Sequence, residues 1–265
     1  TFYEMWGTTT PEHAKEKIDS QRLKLDREPA NLEEQALSLV GRDVYENLIK
    51  GYTQKQWQKD PKELPAYIIK RLPVRFTYNN NYFNDKYQGI PINGYTELFV
   101  NMLDGIEVTT GINYFENREF YDSLADKIVF TGKIDEFYDY RFGELEYRSL
   151  RFETEVMNTD NYQGNAIINY TDTDVDFTRI IEHKHFNNDV SNVSIVTKEI
   201  PIKWNRNEIP YYPINDDVNT ALFTKYKQLA DAENKYIFGG RLSEYRYYDM
   251  HQVIGSAFQT YKKYK

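Results

Sequence analysis

The sequence predicts an α+β fold, with an α/β contribution from the ends of the chain. Helical patterns dominate the first part of the chain, and six segments rich in Ile, Val, Phe and Thr follow them. The chain then closes with a helix, a strand and another helix. Runs of helices followed by runs of strands are typical of proteins in which the helices are segregated from an antiparallel sheet.

Local signals place the first and the last helices. Thr10 and Pro11 form a helix start, because Thr caps the first turn and Pro fits within it. We expect that helix to run to about Arg22. Helical periodicity in residues 218–232 and 250–264 predicts two further helices near the end of the chain.

Another helix is predicted to begin after Asn31, which with Glu34 resembles a capping box. Apolar residues then recur every four positions, so we expect the helix to reach about Lys50, where Gly51 ends or interrupts it. The short apolar segment 64–72 lies between prolines and predicts a loop with one helical turn.

The strand-like segments begin beyond about residue 98, where the helical period gives way to alternation. Several of them alternate polar and apolar residues, as antiparallel strands with one solvated face do. The segments predicted as strands are 106–114, 127–134, 146–156, 164–171, 178–186 and 193–202.

Composition and charge exclude several classes of function. The 265 residues include 33 Lys and Arg against 41 Asp and Glu, for a net charge of -8, which argues against a general nucleic-acid binder. The absence of cysteine excludes disulfides and thiolate metal sites. No apolar run approaches the roughly 18 residues that span a bilayer, so we expect a cytoplasmic protein without membrane insertion.

Residues 238–252 are the strongest candidate site, because two glycines follow an apolar run and precede an arginine, tyrosines and an aspartate. The pattern predicts a strand that leads into a helix start. Backbone N–H groups there favour a phosphate or a polarised ring oxygen. A solvated turn with packed tyrosines is the alternative, and the residues alone leave both open.

Two arginines outside that stretch, Arg71 and Arg179, each lie beside aromatic or apolar residues. Their planar side chains suit the oxygens of a diphosphate, although single arginines more often form surface ion pairs. His183 and His185 lie two positions apart, hence on one face of a predicted strand. No third ligand accompanies them, so we predict no metal site.

Several segments together resemble bacterial UDP-galactopyranose mutase. They occur in the family's order and extend over essentially the whole chain, from the opening stretch onward. The segments are KGYTQKQW at 50–57, RLPVR at 71–75, FGELEYRSL at 142–150, NYQG at 161–164, TRIIE at 178–182 and YYPI at 211–214.

The resemblance implies a flavoenzyme, an isomerase that interconverts UDP-galactopyranose and UDP-galactofuranose for cell-surface polysaccharides. In this family reduced FAD attacks the anomeric carbon of the sugar, and the covalent flavin–sugar adduct opens and closes as the other ring. The implied partner is UDP-galactose, and a homodimer is left open.

Roles are implied for residues that match the family's motifs. Arg71 and Arg179 match the arginines on the diphosphate, and Asn169 matches an asparagine that contacts the substrate. Tyr247 and Tyr212, or Tyr211 in its place, match tyrosines on the pyrophosphate. The uridine end matches Tyr52, Thr53, Trp57 and Tyr82. The FAD contacts match Gly132, Arg148, Pro213, Gly240, Arg241, Asp249 and Met250.

The resemblance also divides the chain into domains. It implies a mostly helical domain at 1–105 with a mobile substrate loop near 64–75, an antiparallel sheet domain at 137–210, and remnants of a Rossmann-like FAD-binding domain at 106–136 and 211–265. The family begins with a glycine-loop unit that holds the FAD pyrophosphate, and this sequence starts after it. We therefore expect a truncated member, and if these 265 residues are the whole molecule we expect its FAD affinity to collapse.

Two alternatives remain open at this point. A non-catalytic fragment that binds UDP-sugars would need no glycine loop. Another FAD-dependent enzyme of amine-oxidase-like fold would share the architecture, but the pair Arg71 and Arg179 argues against it, because an amine substrate carries no diphosphate.

Overall fold

A computed structural model describes residues 2–70, 75–79 and 85–264. The chain forms two compact units, each built from two stretches of sequence. The first unit takes residues 1–94 and 150–202, and the second takes residues 95–149 and 203–265. The predicted division into three parts stays a prediction.

The first unit opens with helices whose starts follow their capping signals. Thr10 accepts a hydrogen bond from the backbone N–H of His13, and Asn31 accepts one from that of Glu34, as predicted for N-caps. The helices and helical turns of this unit are α1 Phe2–Trp6, α2 Pro11–Gln21, α3 Leu32–Val44, a π-helical turn Tyr45–Lys50, α4 Gly51–Trp57, a 3-10 turn Pro61–Glu63 and α5 Tyr67–Lys70. The predicted helical turn within 64–72 is α5.

The prediction that Gly51 ends or interrupts the helix is wrong. Gly51 has helical angles and the chain continues through it into α4. The break lies at Gly41 instead, whose φ of 75° falls in the left-handed region that favours glycine. A Cβ at Gly41 would also lie 2.9 Å from the Cβ of Gln21, so close packing of α2 on α3 demands a glycine there.

The core of the first unit lies among these helices. Their apolar residues recur on one face of α3 and continue through the π-helical turn, so a single stripe is buried. Trp57 and Phe76 pack against its edge. The buried residues are Ile18, Leu32, Ala36, Leu37, Val40, Val44, Tyr45, Ile49, Leu64 and Ile69.

An antiparallel sheet completes the first unit. Its strands are β2 Tyr147–Met157, β3 Ile167–Asn169, β4 Arg179–Glu182 and β5 Ser194–Lys203, in the order β3, β4, β5, β2. The β3–β4 and β4–β5 ladders are antiparallel. Helices with an antiparallel sheet confirm the α+β prediction, and four of the six predicted strand segments overlap these strands.

The end of the fourth strand differs from the prediction. The segment 178–186 was expected to remain extended, but β4 stops at Glu182 and His183–Phe186 form a 3-10 turn. His183 and His185 therefore do not lie on one face of a strand.

The second unit contains a two-stranded parallel sheet, β1 Ile128–Phe130 with β7 Tyr236–Phe238. Aromatic rings cluster beside this sheet. The ring centroid of Phe137 lies 4.8 Å from those of Phe130 and Phe238. The first residues of β2 also lie in this unit and pair with β6 Tyr212–Pro213.

The helices of the second unit confirm the predictions for the end of the chain. The helices are α6 Gly94–Met102, α7 Arg118–Ser123, α8 Ile134–Phe137, α9 Asp217–Ala232, α10 Gly240–Ser243 and α11 Met250–Tyr264. The predicted strand at 106–114 is wrong, because those residues form bends and irregular backbone. The predicted strand at 127–134 shortens to β1, since α8 begins at Ile134.

No helix among the described residues is both long enough and apolar enough to cross a membrane.

Candidate functional site

Three polar residues line up across the sheet of the first unit. Asn169 pairs with Arg179 across β3 and β4, and Arg179 pairs with Glu199 across β4 and β5. Residues directly opposite each other in antiparallel strands share one face. The strand register therefore places an amide, a guanidinium and a carboxylate side by side.

The guanidinium of Arg179 is held from two sides. Its Nη2 donates to the hydroxyl of Tyr52 at 2.6 Å, and its Nε lies 3.4 Å from Oε1 of Glu199. Glu199 is only 5% exposed, and this burial raises the pKa of its carboxyl while the nearby Arg179 opposes the shift. The arrangement presents a fixed, partly exposed cation, which suits phosphate oxygens.

Helix α4 carries Tyr52 and packs directly against the stretch of chain that connects β3 to β4. A Cβ at Gly51 would collide with the carbonyl oxygen of Thr171, so glycine permits this approach. Further along α4, Lys55 donates through Nζ to the carbonyl of Phe177 at 2.9 Å. Gln58, which follows the helix, donates to the carbonyl of Pro201 at 3.1 Å.

The remaining residues matched to the uridine end differ in exposure. Thr53 is buried, whereas Trp57 is half-buried and packs against the helical core. Tyr82 lies outside the described residues, and so does Arg71.

A buried carboxylate anchors the loop that precedes β3. Glu182 accepts hydrogen bonds from the backbone N–H groups of Tyr162 and Gln163 at 2.9 and 2.8 Å and from the hydroxyl of Ser194 at 2.6 Å. His185 Nε2 lies 3.0 Å from Oε2 of Glu182, the oxygen that also accepts from Gln163. Burial alone would raise the pKa of Glu182, but these interactions outweigh it and lower the pKa to about 2.

The second unit carries a separate cluster of tyrosines around Arg241. The rings of Tyr212 and Tyr247 stack with centroids 5.5 Å apart and an interplanar angle of 22°. The guanidinium of Arg241 lies 5.7 and 5.1 Å from those two centroids, within the range of cation–π contacts. Its Nη2 donates to the carbonyl of Tyr211 at 2.9 Å.

Arg241 also offers a donor that the described residues do not use. Its Nε is covered from solvent and makes no hydrogen bond among them. A buried donor without an acceptor costs stability, so an acceptor supplied by a ligand fits this position. The donor set, a guanidinium flanked by stacked phenols, suits a phosphate or a flavin carbonyl.

The glycines near the proposed FAD site differ in how much space lies beside them. A Cβ on Gly132 would lie 2.6 Å from the ring of Phe130, so the chain itself fills the space beside this glycine. Gly240 has a φ of 81° and opens α10, which confirms the predicted strand-to-helix turn after β7. Among the described residues, none has an atom within 4 Å of a Cβ on Gly239.

The other residues matched to FAD vary in burial. Arg148 and Pro213 are buried on the paired strands β2 and β6, and burial lowers the pKa of Arg148. Asp249 and Met250 are exposed where α11 begins.

The structure thus brings Tyr52, Asn169 and Arg179 together in the first unit. In the second unit it brings Tyr212 and Tyr247 together with Arg241. Sequence reasoning assigned no role to Glu199 or Glu182. Glu199 falls within a segment correctly predicted as a strand, but its partner lies 20 positions away and only the strand register identifies it.

A metal centre finds no support among the described residues, which contain no group of three His, Asp or Glu side chains suited to an ion. His183 and His185 instead contact Thr197 and Glu182.

Comparison with known proteins gives one consistent family. A family model described as UDP-galactopyranose mutase matches residues 47–247. The chain is 40% identical over 261 residues to the dTDP-fucopyranose mutase of Escherichia coli and 43% identical over 257 residues to the probable UDP-galactopyranose mutase of Klebsiella pneumoniae. Each alignment covers 96% of this chain, and it spans 69% of the first relative and 66% of the second.

A solved structure shares the fold. The crystal structure of reduced UDP-galactopyranose mutase superposes with a TM-score of 0.57 at 12% identity, covering 89% of this chain and 68% of that one. At this identity the likeness concerns the fold alone.

Proposed function

The chain belongs to the UDP-galactopyranose mutase family, and from this premise we propose that it acts in the interconversion of UDP-galactopyranose and UDP-galactofuranose. The observation that carries the proposal is the guanidinium of Arg179, fixed by Tyr52 and Glu199 on the sheet face beside Asn169. A fixed cation of this kind suits a diphosphate that must leave the sugar and return.

The reaction needs a stabilised leaving group more than a protein base. Cleavage of the bond between the anomeric carbon and the diphosphate oxygen develops negative charge on the diphosphate. We assign that charge to Arg179 together with Arg71, and we assign further hydrogen bonds to the hydroxyls of Tyr212 and Tyr247. Asn169 would contact the substrate beside Arg179.

The uridine end is assigned to Tyr52, Thr53, Trp57 and Tyr82. The half-buried rings of Tyr52 and Trp57 support this assignment, since a half-buried ring can still present a face to a base. Buried Thr53 can contribute only where its hydroxyl faces the ligand.

Reduced FAD is the proposed cofactor, and when bound it supplies the nucleophile for the anomeric carbon. Arg241 is the residue with the best support, because its covered Nε needs an acceptor. Arg148, Pro213, Gly240, Asp249 and Met250 are proposed to border the cofactor. Gly132 fits least well, because the ring of Phe130 already fills the space beside it.

The parallel pair β1 and β7 supports the assignment of the second unit to an FAD-binding α/β domain. Parallel sheets are almost always covered by helices and rarely consist of two strands alone. We propose that β1, β7, α10 and α11 are part of a larger Rossmann-like domain.

A second candidate substrate is dTDP-fucose, which differs in both the base and the sugar. It is favoured by the 40% identity to the dTDP-fucopyranose mutase over 96% of the chain. The sheet face around Arg179 would serve either nucleotide, because both carry the same diphosphate.

The test is a turnover assay of the purified chain with reduced FAD and either UDP-galactofuranose or dTDP-fucofuranose, with the two ring forms separated by chromatography. Conversion of the uridine substrate supports the proposal, and exclusive conversion of the thymidine substrate replaces it with the second candidate. UDP titration without flavin tests nucleotide binding by itself. A chain that binds neither nucleotide would refute both.

A further inference from the structure

We propose that the hydroxyl of Tyr52 is a positioning group for Arg179, so that the helix carrying the nucleoside contact also sets the orientation of the cation for the diphosphate. The inference rests on the proposed function, in which Arg179 contacts a nucleoside diphosphate. The proposed function uses only the ring of Tyr52, as a contact for the base, whereas this inference gives the hydroxyl a separate role.

The geometry fixes the plane of the guanidinium. Tyr52 accepts from Nη2 at 2.6 Å, while Glu199 faces Nε at 3.4 Å. A guanidinium is planar, so contacts at two different nitrogens determine both its position and its tilt.

The two groups that contact the guanidinium, Glu199 and Tyr52, are both anchored in the fold. Glu199 lies opposite Arg179 in the β4–β5 ladder and is almost fully buried. Tyr52 lies on α4, which packs against Thr171 at Gly51. Lys55 and Gln58 also donate hydrogen bonds from this helix and the residue after it to backbone carbonyls just before β4 and within β5. The hydroxyl therefore occupies a defined place relative to the strand that carries Arg179.

The energetic consequence concerns preorganisation. A free arginine side chain loses rotamer freedom when it binds an anion, and a side chain already held in place loses less. Removal of one hydrogen bond to a charged group is expected to weaken diphosphate binding by about tenfold or more.

The experiment combines Tyr52→Phe with the loss of the guanidinium. Tyr52→Phe keeps the ring and removes only the hydroxyl. The second background is Arg179→Met combined with Glu199→Gln, which keeps the apolar stem and leaves no unpaired buried carboxylate. Tyr170→Phe is the matched control, because Tyr170 is a half-buried tyrosine of the same unit whose ring packs against Phe177.

UDP affinity is measured by calorimetry for the full chain and each variant, with uridine as the ligand that lacks phosphate. We expect Tyr52→Phe to weaken UDP binding about tenfold in the wild-type background and to change it within about twofold in the Arg179→Met/Glu199→Gln background. Uridine affinity should stay the same. The Arg179 Nε–H resonance of the unliganded chain should shift in Tyr52→Phe and not in Tyr170→Phe.

Three results would overturn the inference in distinguishable ways. Wild-type affinity for UDP in Tyr52→Phe would remove the positioning role and leave the proposed function intact. Equal weakening in both backgrounds would show that the hydroxyl contacts the ligand itself. Binding of UDP by the wild-type chain no tighter than that of uridine would remove the proposed function and this inference with it.

Discussion

Arg179 and Glu199 lie directly opposite each other on β4 and β5, with Nε and Oε1 3.4 Å apart. Glu199 is nearly fully buried, so its charge is tolerated only because the guanidinium faces it. The same guanidinium is the proposed diphosphate contact, which makes one side chain serve both the stability and the function of the first unit.

Removal of this arginine should therefore destabilise the fold as well as the site. Arg179→Ala leaves a buried carboxylate without its partner, and we expect a loss of about 3–5 kcal/mol in the free energy of unfolding near neutral pH. Adding Glu199→Gln should restore much of the loss. Urea denaturation of the single and double variants measures both effects.

The pH dependence follows from the raised pKa of Glu199. Without Arg179 the opposing influence is gone and the pKa rises further, so the folded state binds the proton more readily than the unfolded one. Arg179→Ala should then be least destabilising at low pH and lose stability as pH rises through the raised pKa. Lys198→Ala removes a half-buried lysine that pairs with exposed Glu155 and should cost under about 1 kcal/mol at any pH. A pH-independent loss in Arg179→Ala would contradict this account.

Glu182 makes the opposite prediction. Its pKa is lowered to about 2, so the stability from its hydrogen bonds is fully present above the ordinary value of 4.5 and is lost as pH falls towards about 2. Glu182→Gln should remove that dependence and cost about 1.5–3 kcal/mol near neutral pH, because charged acceptors become neutral ones. Thermal melts across this pH window measure it.

Glu153→Gln serves as the control for Glu182, since this exposed glutamate of β2 pairs only with exposed Arg151 among the described residues. Its acid unfolding curve should overlay that of the wild type. An equally unchanged curve for Glu182→Gln would mean that the buried carboxylate does not carry the acid sensitivity of the sheet.

Gly51 and Gly255 offer a matched pair of helical glycines. Alanine improves helix propensity at both, but a Cβ at Gly51 would collide with the carbonyl of Thr171, whereas no described residue comes within 4 Å of one at Gly255. We expect Gly51→Ala to cost about 1–3 kcal/mol and to weaken UDP binding, because α4 must shift. Gly255→Ala should be neutral or stabilise by about 0.5–1 kcal/mol.

Chemical denaturation and UDP titration of the two variants decide the comparison. A stable Gly51→Ala variant with unchanged UDP affinity would show that neither stability nor UDP binding requires the close approach of α4 to Thr171.

Local signals in the sequence were enough for the elements that depend on neighbouring residues. The cap at Thr10 and the helical periodicity of 218–232 and 250–264 predict their helices correctly, because each signal acts within a few turns of the chain. The prediction for the segment 106–114 failed because strand propensity is a weak local signal: its apolar composition suits a strand, but these residues form none.

Long-range relationships lay beyond the sequence. Gly51 resembled a helix stop, yet its role is to admit the carbonyl of Thr171, which lies 120 positions further along the chain. The importance of Glu199 depends on a register that no local pattern encodes. Residue type and surroundings singled out the candidate arginines and the tyrosines of 238–252, and the resemblance supplied their roles, whereas the contact between Arg179 and Tyr52 became evident only from the fold.

Arg241 provides the most direct test of the cofactor assignment. Its covered Nε makes no hydrogen bond among the described residues, and its guanidinium lies over the rings of Tyr212 and Tyr247. If that donor serves FAD, Arg241→Met should weaken FAD binding by about tenfold or more while it preserves the apolar stem. The quenching of flavin fluorescence on addition of the chain measures the affinity without turnover.

Arg206 supplies the control for that experiment, because its guanidinium also lies over a tyrosine ring, 4.0 Å from the centroid of Tyr140, and pairs with Glu144. Arg206→Met removes the same chemical group from the same unit at a position with no proposed cofactor contact. Equal losses of FAD affinity in the two variants would mean that stacked arginines act only through the stability of the unit. A loss confined to Arg241→Met, with unfolding free energies that match within about 1 kcal/mol, would assign the guanidinium of Arg241 to the flavin.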